Sequence, residues 1–216
     1  MLADAYKDDG RHAEAGAYIE RGLALARGYG LPHATMSLLT SSGWMTYHRA
    51  ALGQADVEEA TAAFRAALEQ ATRSAERRYA AYAWSGLGQC GVRAGDGQMI
   101  DDAIAHLTAA EPLPPHLEAR RTLLRAARAM RAGNYDDAAA MYVDAASFCR
   151  AHALWSREVD AVLGQGAAAS RAGRTEDAER HWSRIDDLLA RCPRVRHQIA
   201  EQVRRAMRTD SLLCPL

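Results

Sequence analysis

The feature that most constrains this chain is a spaced pattern that returns five times. In its cleanest form a glycine is followed by an alanine five residues on, an apolar or aromatic residue four after that, and another anchor three later. Gly133, Ala138, Tyr142 and Ala145 follow it, as do Gly173, Ala178, Trp182 and Ile185, and Gly10, Ala15, Ile19 and Gly22. Two further copies carry two or three extra residues after the glycine: Gly53, Ala60, Phe64, Ala67 and Gly95, Ala103, Leu107, Ala110. Anchors three and four apart lie on one side of an α-helix. A glycine at the end of one helical pattern and shortly before the next reads as the left-handed residue that closes a helix. Repetition at this scale means stacked helical hairpins, each of which buries its apolar face only against its neighbours.

The stretch Met130 to Ala146 shows the unit in full. Arg131 lies in the last turn of one helix, where a cation suits the negative end of the helix dipole. Gly133 is the expected left-handed residue. Asn134 is expected to cap the next helix, and Asp136 and Asp137 sit at its positive end. The tripeptide Arg-Ala-Gly recurs at 93–95, 131–133 and 171–173. Strong breaks at Gly28-Tyr-Gly-Leu-Pro32 and Glu111-Pro-Leu-Pro-Pro115 separate hairpins, whereas the breaks after Ala71 and Cys149 carry weak signals.

The reading is a single domain over residues 1–208, with hairpins at about 1–28, 32–73, 76–112, 115–150 and 153–191. An arginine-rich cap follows at 194–208 and a tail at 209–216. By register Met1 falls inside a first helix, so the chain is expected to be a fragment or to have lost an upstream segment, the alternative being a short first helix. The edge exposed there, with Leu2 and Tyr6, offers a surface for pairing with a second copy.

Composition excludes some classes. Lys+Arg and Asp+Glu both number 27, which argues against nucleic acid or an anionic membrane as main partner. Cys90, Cys149, Cys192 and Cys214 have no metal-ligand or disulfide-framework spacing, and no apolar run approaches bilayer length. A cytoplasmic protein without metal or cofactor is expected. Gly86-Leu-Gly88-Gln-Cys-Gly91 fits G-x-G-x-x-G, but a dinucleotide site needs those glycines between a strand and a helix. Here they follow a helical pattern, so close helix packing is the expected role. None of the eight histidines forms a ligand pair on a helix face, and no catalytic residues are assigned.

In the third hairpin Trp84, Leu87, Gly88, Gly95, Ala103, Leu107, Ala110 and Pro115 match the tetratricopeptide repeat pattern, and in the first Leu2, Ala3, Tyr6, Gly10 and Ala15 do. The chain thus resembles that family over about residues 1–190. Its anchor alanines, Ala15, Ala60, Ala103, Ala138 and Ala178, are 45, 43, 35 and 40 residues apart, longer than the usual period of about 34. In this it resembles the long-helix variety found in the helical arms of large bacterial transcription regulators of the maltose-activator type.

The resemblance implies an all-α fold, a right-handed α-α superhelix of about five hairpins and a C-terminal capping helix. It implies a non-catalytic interaction module that holds a peptide or protein segment in its concave groove. The alternatives are a sensing or regulatory arm of a larger transcription regulator, and an all-helical enzyme using the groove as its active site. The family's groove positions fall on Tyr47; on Tyr82, Ser85, Gln89 and Arg93; on Arg120, Leu123, Ala127 and Arg131; and on Leu163, Ala167 and Arg171. Arg93, Arg131 and Arg171 are equivalent, and a row of them would suit a carboxylate-bearing partner. The lysine and asparagine pattern of the family's carboxylate clamp is absent.

Overall fold

Left-handed turns close most of the helices. In the computed structural model, which describes residues 12–190 except Leu52, seven residues have positive φ: Gly30, Gly53, Gly95, Gly133, Gly173, Ala75 and Ala153. Each stands just after a helix. At Gly133 (φ 80°) its N–H donates to the Met130 carbonyl at 3.1 Å, and the Asn134 N–H donates to the Ala129 carbonyl at 3.0 Å. This pair of bonds satisfies carbonyls that a helix end otherwise leaves open, and it turns the chain back on itself. The same two bonds recur at Gly30, Gly53, Ala75, Ala153 and Gly173.

The resulting helices are α1 (His12–Gly28), α2 (Pro32–Ala51), α3 (Val57–Arg73), α4 (Arg77–Ala94), α5 (Gly97–Ala109), α6 (Pro115–Arg131), α7 (Tyr135–Ala151), α8 (Trp155–Arg171), α9 (Thr175–Ser183) and α10 (Ile185–Ala190). The described residues are all-helical with no strand, and the helices pack chiefly in neighbouring pairs. N-terminal signals are mixed. Asp56 and Asp96 accept backbone N–H groups at 3.0 Å from Glu58 and Met99, and Pro115 opens α6, a position where a missing N–H is harmless. Asn134 stands at the N-cap of α7, but its side chain makes no capping bond, contrary to expectation. The breaks after Ala71 and Cys149, weak in sequence, are turns of the same geometry closed by alanine in place of glycine.

The chain divides into two compact units, residues 1–90 and 91–216, with the division inside α4. In the first, Ala15 and Ile19 of α1 pack on Met45 of α2. Leu39, Ala67 and Ala83 join α2, α3 and α4. Phe64 is the wedge: its ring is wholly buried and meets Trp44 edge-on at 5.1 Å. A Cβ on Gly43 or Gly86 would come within 2.7 Å or 2.3 Å of that ring. In the second unit, one core runs from Leu123 through Tyr142 and Val162 to Leu189. There Tyr142 lies against Gly164 and Trp182 against Gly166, with hypothetical Cβ distances of 2.3 Å and 2.0 Å. Glycine is therefore required at these points because an aromatic ring of another helix occupies the space.

The five anchor alanines, Ala15, Ala60, Ala103, Ala138 and Ala178, are all at most 1% exposed. Gly86 and Gly91 of the G-x-G-x-x-G stretch lie inside α4, so no strand-to-helix turn exists there to present N–H groups to a phosphate. The expected cap at 194–208, the tail and the Leu2/Tyr6 edge lie outside the described residues.

Candidate functional site

Of the twelve groove positions expected from sequence, seven are buried: Tyr47, Ser85, Gln89, Arg120, Leu123, Ala127 and Leu163. Tyr47 donates its hydroxyl to Gln89 Oε1 at 3.3 Å, so these two join α2 to α4. Ser85 donates back to the Tyr82 carbonyl at 2.8 Å. Leu123 and Leu163 belong to the core that α6, α7 and α8 share. Tyr82, Arg93 and Ala167 are half-buried, and only Arg131 and Arg171 are exposed. Side chains enclosed by neighbouring helices offer little surface to a ligand.

Arg120, 1% exposed, belongs to a buried ionic cluster that the repeat pattern does not announce. Its neighbours are the wholly buried Cys149 thiol and the acids Glu158 and Asp160 near the start of α8, at 0% and 1% exposure. Arg150 donates Nε at 2.9 Å and Nη2 at 2.8 Å to Glu158 Oε1, and Arg157 donates to Asp160 at 3.5 Å. Burial, reinforced chiefly by the Asp160 charge, pushes the Cys149 thiol up to about 12, which makes it a poor nucleophile. The sequence signal was Asp160 interrupting the apolar run Val159 to Leu163, with Glu158 directly before it.

The arginine positions have structural partners as well. Arg131 donates Nη2 to the Gly95 carbonyl at 2.5 Å, covering the turn that follows Arg93. Arg128 donates Nε to Asp101 at 2.8 Å, and Arg174 donates to Asp136 at 2.6 Å. Each ties one hairpin to the hairpin before it.

What remains open on α6 is the side away from Arg120, Leu123 and Ala127. At about 100° per residue, Thr122, Arg125, Ala129 and Ala132 fall on the opposite side, which is exposed or half-exposed. Ala129 and Ala132 form the floor of a groove of about 630 Å³ that is also lined by Thr122, Arg125 and Arg128, by Ile104 of α5, by Met141 and Asp144 of α7, and by Asn134. That volume lies in the range of ligand sites, and small alanines between larger walls make the depression. Among the described residues, the side chains of Arg125, Asn134 and Asp144 have no partner. The groove can therefore take an apolar side chain on its floor, a carboxylate at Arg125 and a donor at Asp144.

Among the described residues no group of three or more His, Cys, Asp or Glu side chains is placed to hold a metal ion, and no helix is long and apolar enough to cross a membrane. No family model matches the chain. No curated protein matches it.

Proposed function

We propose that the protein is a non-catalytic, tetratricopeptide-like interaction module that holds a peptide or protein segment against its helical hairpins. The observation that supports this reading is the groove over α6, where an apolar floor of Ala129 and Ala132 lies beside three polar side chains without partners. In a groove that already holds Arg125 and Asp144, a peptide gains contact area on the floor and orientation from two charges of opposite sign. The pairwise helix packing and the buried anchor alanines are what a tetratricopeptide-like, superhelical stack requires, and the superhelix is part of the same proposal.

Selection of peptides from a random library on the full chain tests the reading. The expected result is a family of sequences pairing an acidic residue with a large apolar one. Their affinity should fall by about tenfold or more in Ala129→Trp, which fills the floor, and in Arg125→Glu, where a charge-assisted bond becomes repulsion. Peptides that bind both variants as well as the parent chain rule this groove out. Peptides that lose binding in Arg131→Glu and Arg171→Glu, and not in Ala129→Trp, return the site to the arginine positions expected from sequence.

A further inference from the structure

Arg128 lines the groove over α6, yet unlike Arg125 it is tied to a neighbouring helix. The arginines that tie one hairpin to the hairpin before it do so with different edges. Arg131 reaches the Gly95 carbonyl with Nη2, and Arg174 reaches Asp136 with Nη1, so each spends part of the fork at its tip. Arg128 instead donates Nε to Asp101 Oδ1 at 2.8 Å. Among the described residues its Nη1 and Nη2 have no partner. Its guanidinium also lies against the start of α5, with Cζ and Nε 3.9 Å from where a Cβ on Gly97 would stand. The side bond and this contact hold the plane of the group and leave its tip free. That tip is an edge through which arginine takes a carboxylate by two parallel bonds.

Two further observations point to an anion there. Arg125 stands three residues before Arg128, lines the same groove and has no partner among the described residues. Like charges close together on one helix repel, and a carboxylate shared between them relieves the repulsion. Asp101 is not part of the groove lining, so its charge sits behind Arg128 and outside the space a ligand takes. With Arg128 40% and Asp101 44% exposed, their pair adds little to stability. Orientation of the guanidinium is its larger effect.

Resting on the reading of this groove as a docking site, we propose that Arg128 anchors an acidic side chain of the partner segment and that Asp101 is its positioning residue. One carboxylate accepts from the Nη groups of Arg128 and from Arg125, while an adjoining apolar side chain lies on Ala129 and Ala132. Asp101 acts through Arg128 alone. Because the guanidinium is ordered beforehand, it loses little freedom when the carboxylate arrives.

The test uses two blocked dipeptides as probes, N-acetyl-L-glutamyl-L-leucinamide and its glutamine counterpart. Each is titrated into the full chain while the arginine Nε–Hε and the Ala129 and Met141 methyl resonances are followed by NMR. The glutamate probe should shift Arg125 and Arg128 along one saturation curve, and the glutamine probe should bind at least about tenfold more weakly. In Asp101→Ala the melting temperature should stay nearly unchanged, while the preference for glutamate over glutamine falls to about threefold or less. Asp101→Asn keeps an oxygen acceptor for Nε and should restore the preference. Arg128→Lys keeps the charge, loses the fork and should behave like Asp101→Ala. Shifts at Arg125 without Arg128, equal effects of Asp101→Ala and Asp101→Asn, or methyl shifts with equal affinity for both probes overturn the proposal and leave the groove as a docking site. No shift at millimolar concentration also overturns it, and the peptide selection then decides the groove separately.

Discussion

At the scale of single residues, the departures from the repeat are where chemistry is displaced by geometry. Ala75 and Ala153 hold φ of 54° and 55° at turns that glycine closes elsewhere, and an L side chain there crowds the following carbonyl. Ala75→Gly and Ala153→Gly should each stabilise the chain by about 0.5–1 kcal/mol, because the relief of strain exceeds the added freedom of the unfolded glycine. The denaturation midpoint should rise with an unchanged slope. Cys149 carries the clearest pH signature. Its folded thiol, pushed up to about 12 by burial and then by Asp160, keeps its proton where the unfolded thiol loses it. Its contribution to stability is thus intact below the ordinary thiol range and is lost as pH climbs toward about 12. In native protein at mildly alkaline pH, iodoacetamide should leave Cys149 unmodified, and denaturant should expose it to rapid alkylation.

At the scale of the helix pair, packing depends on rings meeting glycines. A methyl group on Gly86 would lie 2.3 Å from Phe64 Cε1, and Phe64, wholly buried, has no open space into which to retreat. Gly86→Ala should destabilise by about 1–3 kcal/mol, the usual range for overpacking a closed core. Gly28→Ala is the control: nothing lies within 4 Å of its Cβ position, so the change should be neutral or slightly stabilising through helix propensity. Equal melting temperatures for the two variants would show that the ring can shift. The cross-hairpin ties made by Arg128, Arg131 and Arg174 belong to this scale as well. A last-turn arginine that looks like a solvated helix end in sequence is, at Arg131, a contact with the preceding hairpin.

At the scale of the molecule, α8 is the most enclosed element. Glu158 to Leu163, Gln165, Gly166, Ala168 and Ala169 are all buried, so its sides face α6, α7, α9 and α10. Amide exchange in the second unit should be slowest in α8 and the facing parts of α6 and α7, since these amides open only when the shared core opens. Exchange in α8 no slower than in α5 would contradict this. The same enclosure explains why the ionic cluster is tolerable: Arg150 and Arg157 supply donors to the two acids that α8 carries inward.

Much of the fold was legible. The glycine and alanine offsets alone determined that the chain is helical, where most helices end, and which alanines are enclosed, because backbone conformation at a turn and periodicity along a helix are local properties. Even the two weak breaks were obscured only by alanine standing where glycine was expected. The candidate site was legible in far smaller part. Offsets place Arg120, Leu123 and Ala127 on one side of α6, but whether that side meets solvent or another helix depends on which elements pack there. In the folded chain α8 and its neighbours cover it, leaving Thr122, Arg125, Ala129 and Ala132 open instead. The groove over α6 and the buried ionic cluster around Glu158 bring together residues from separate helices, and only the tertiary structure decided which charges would face one another.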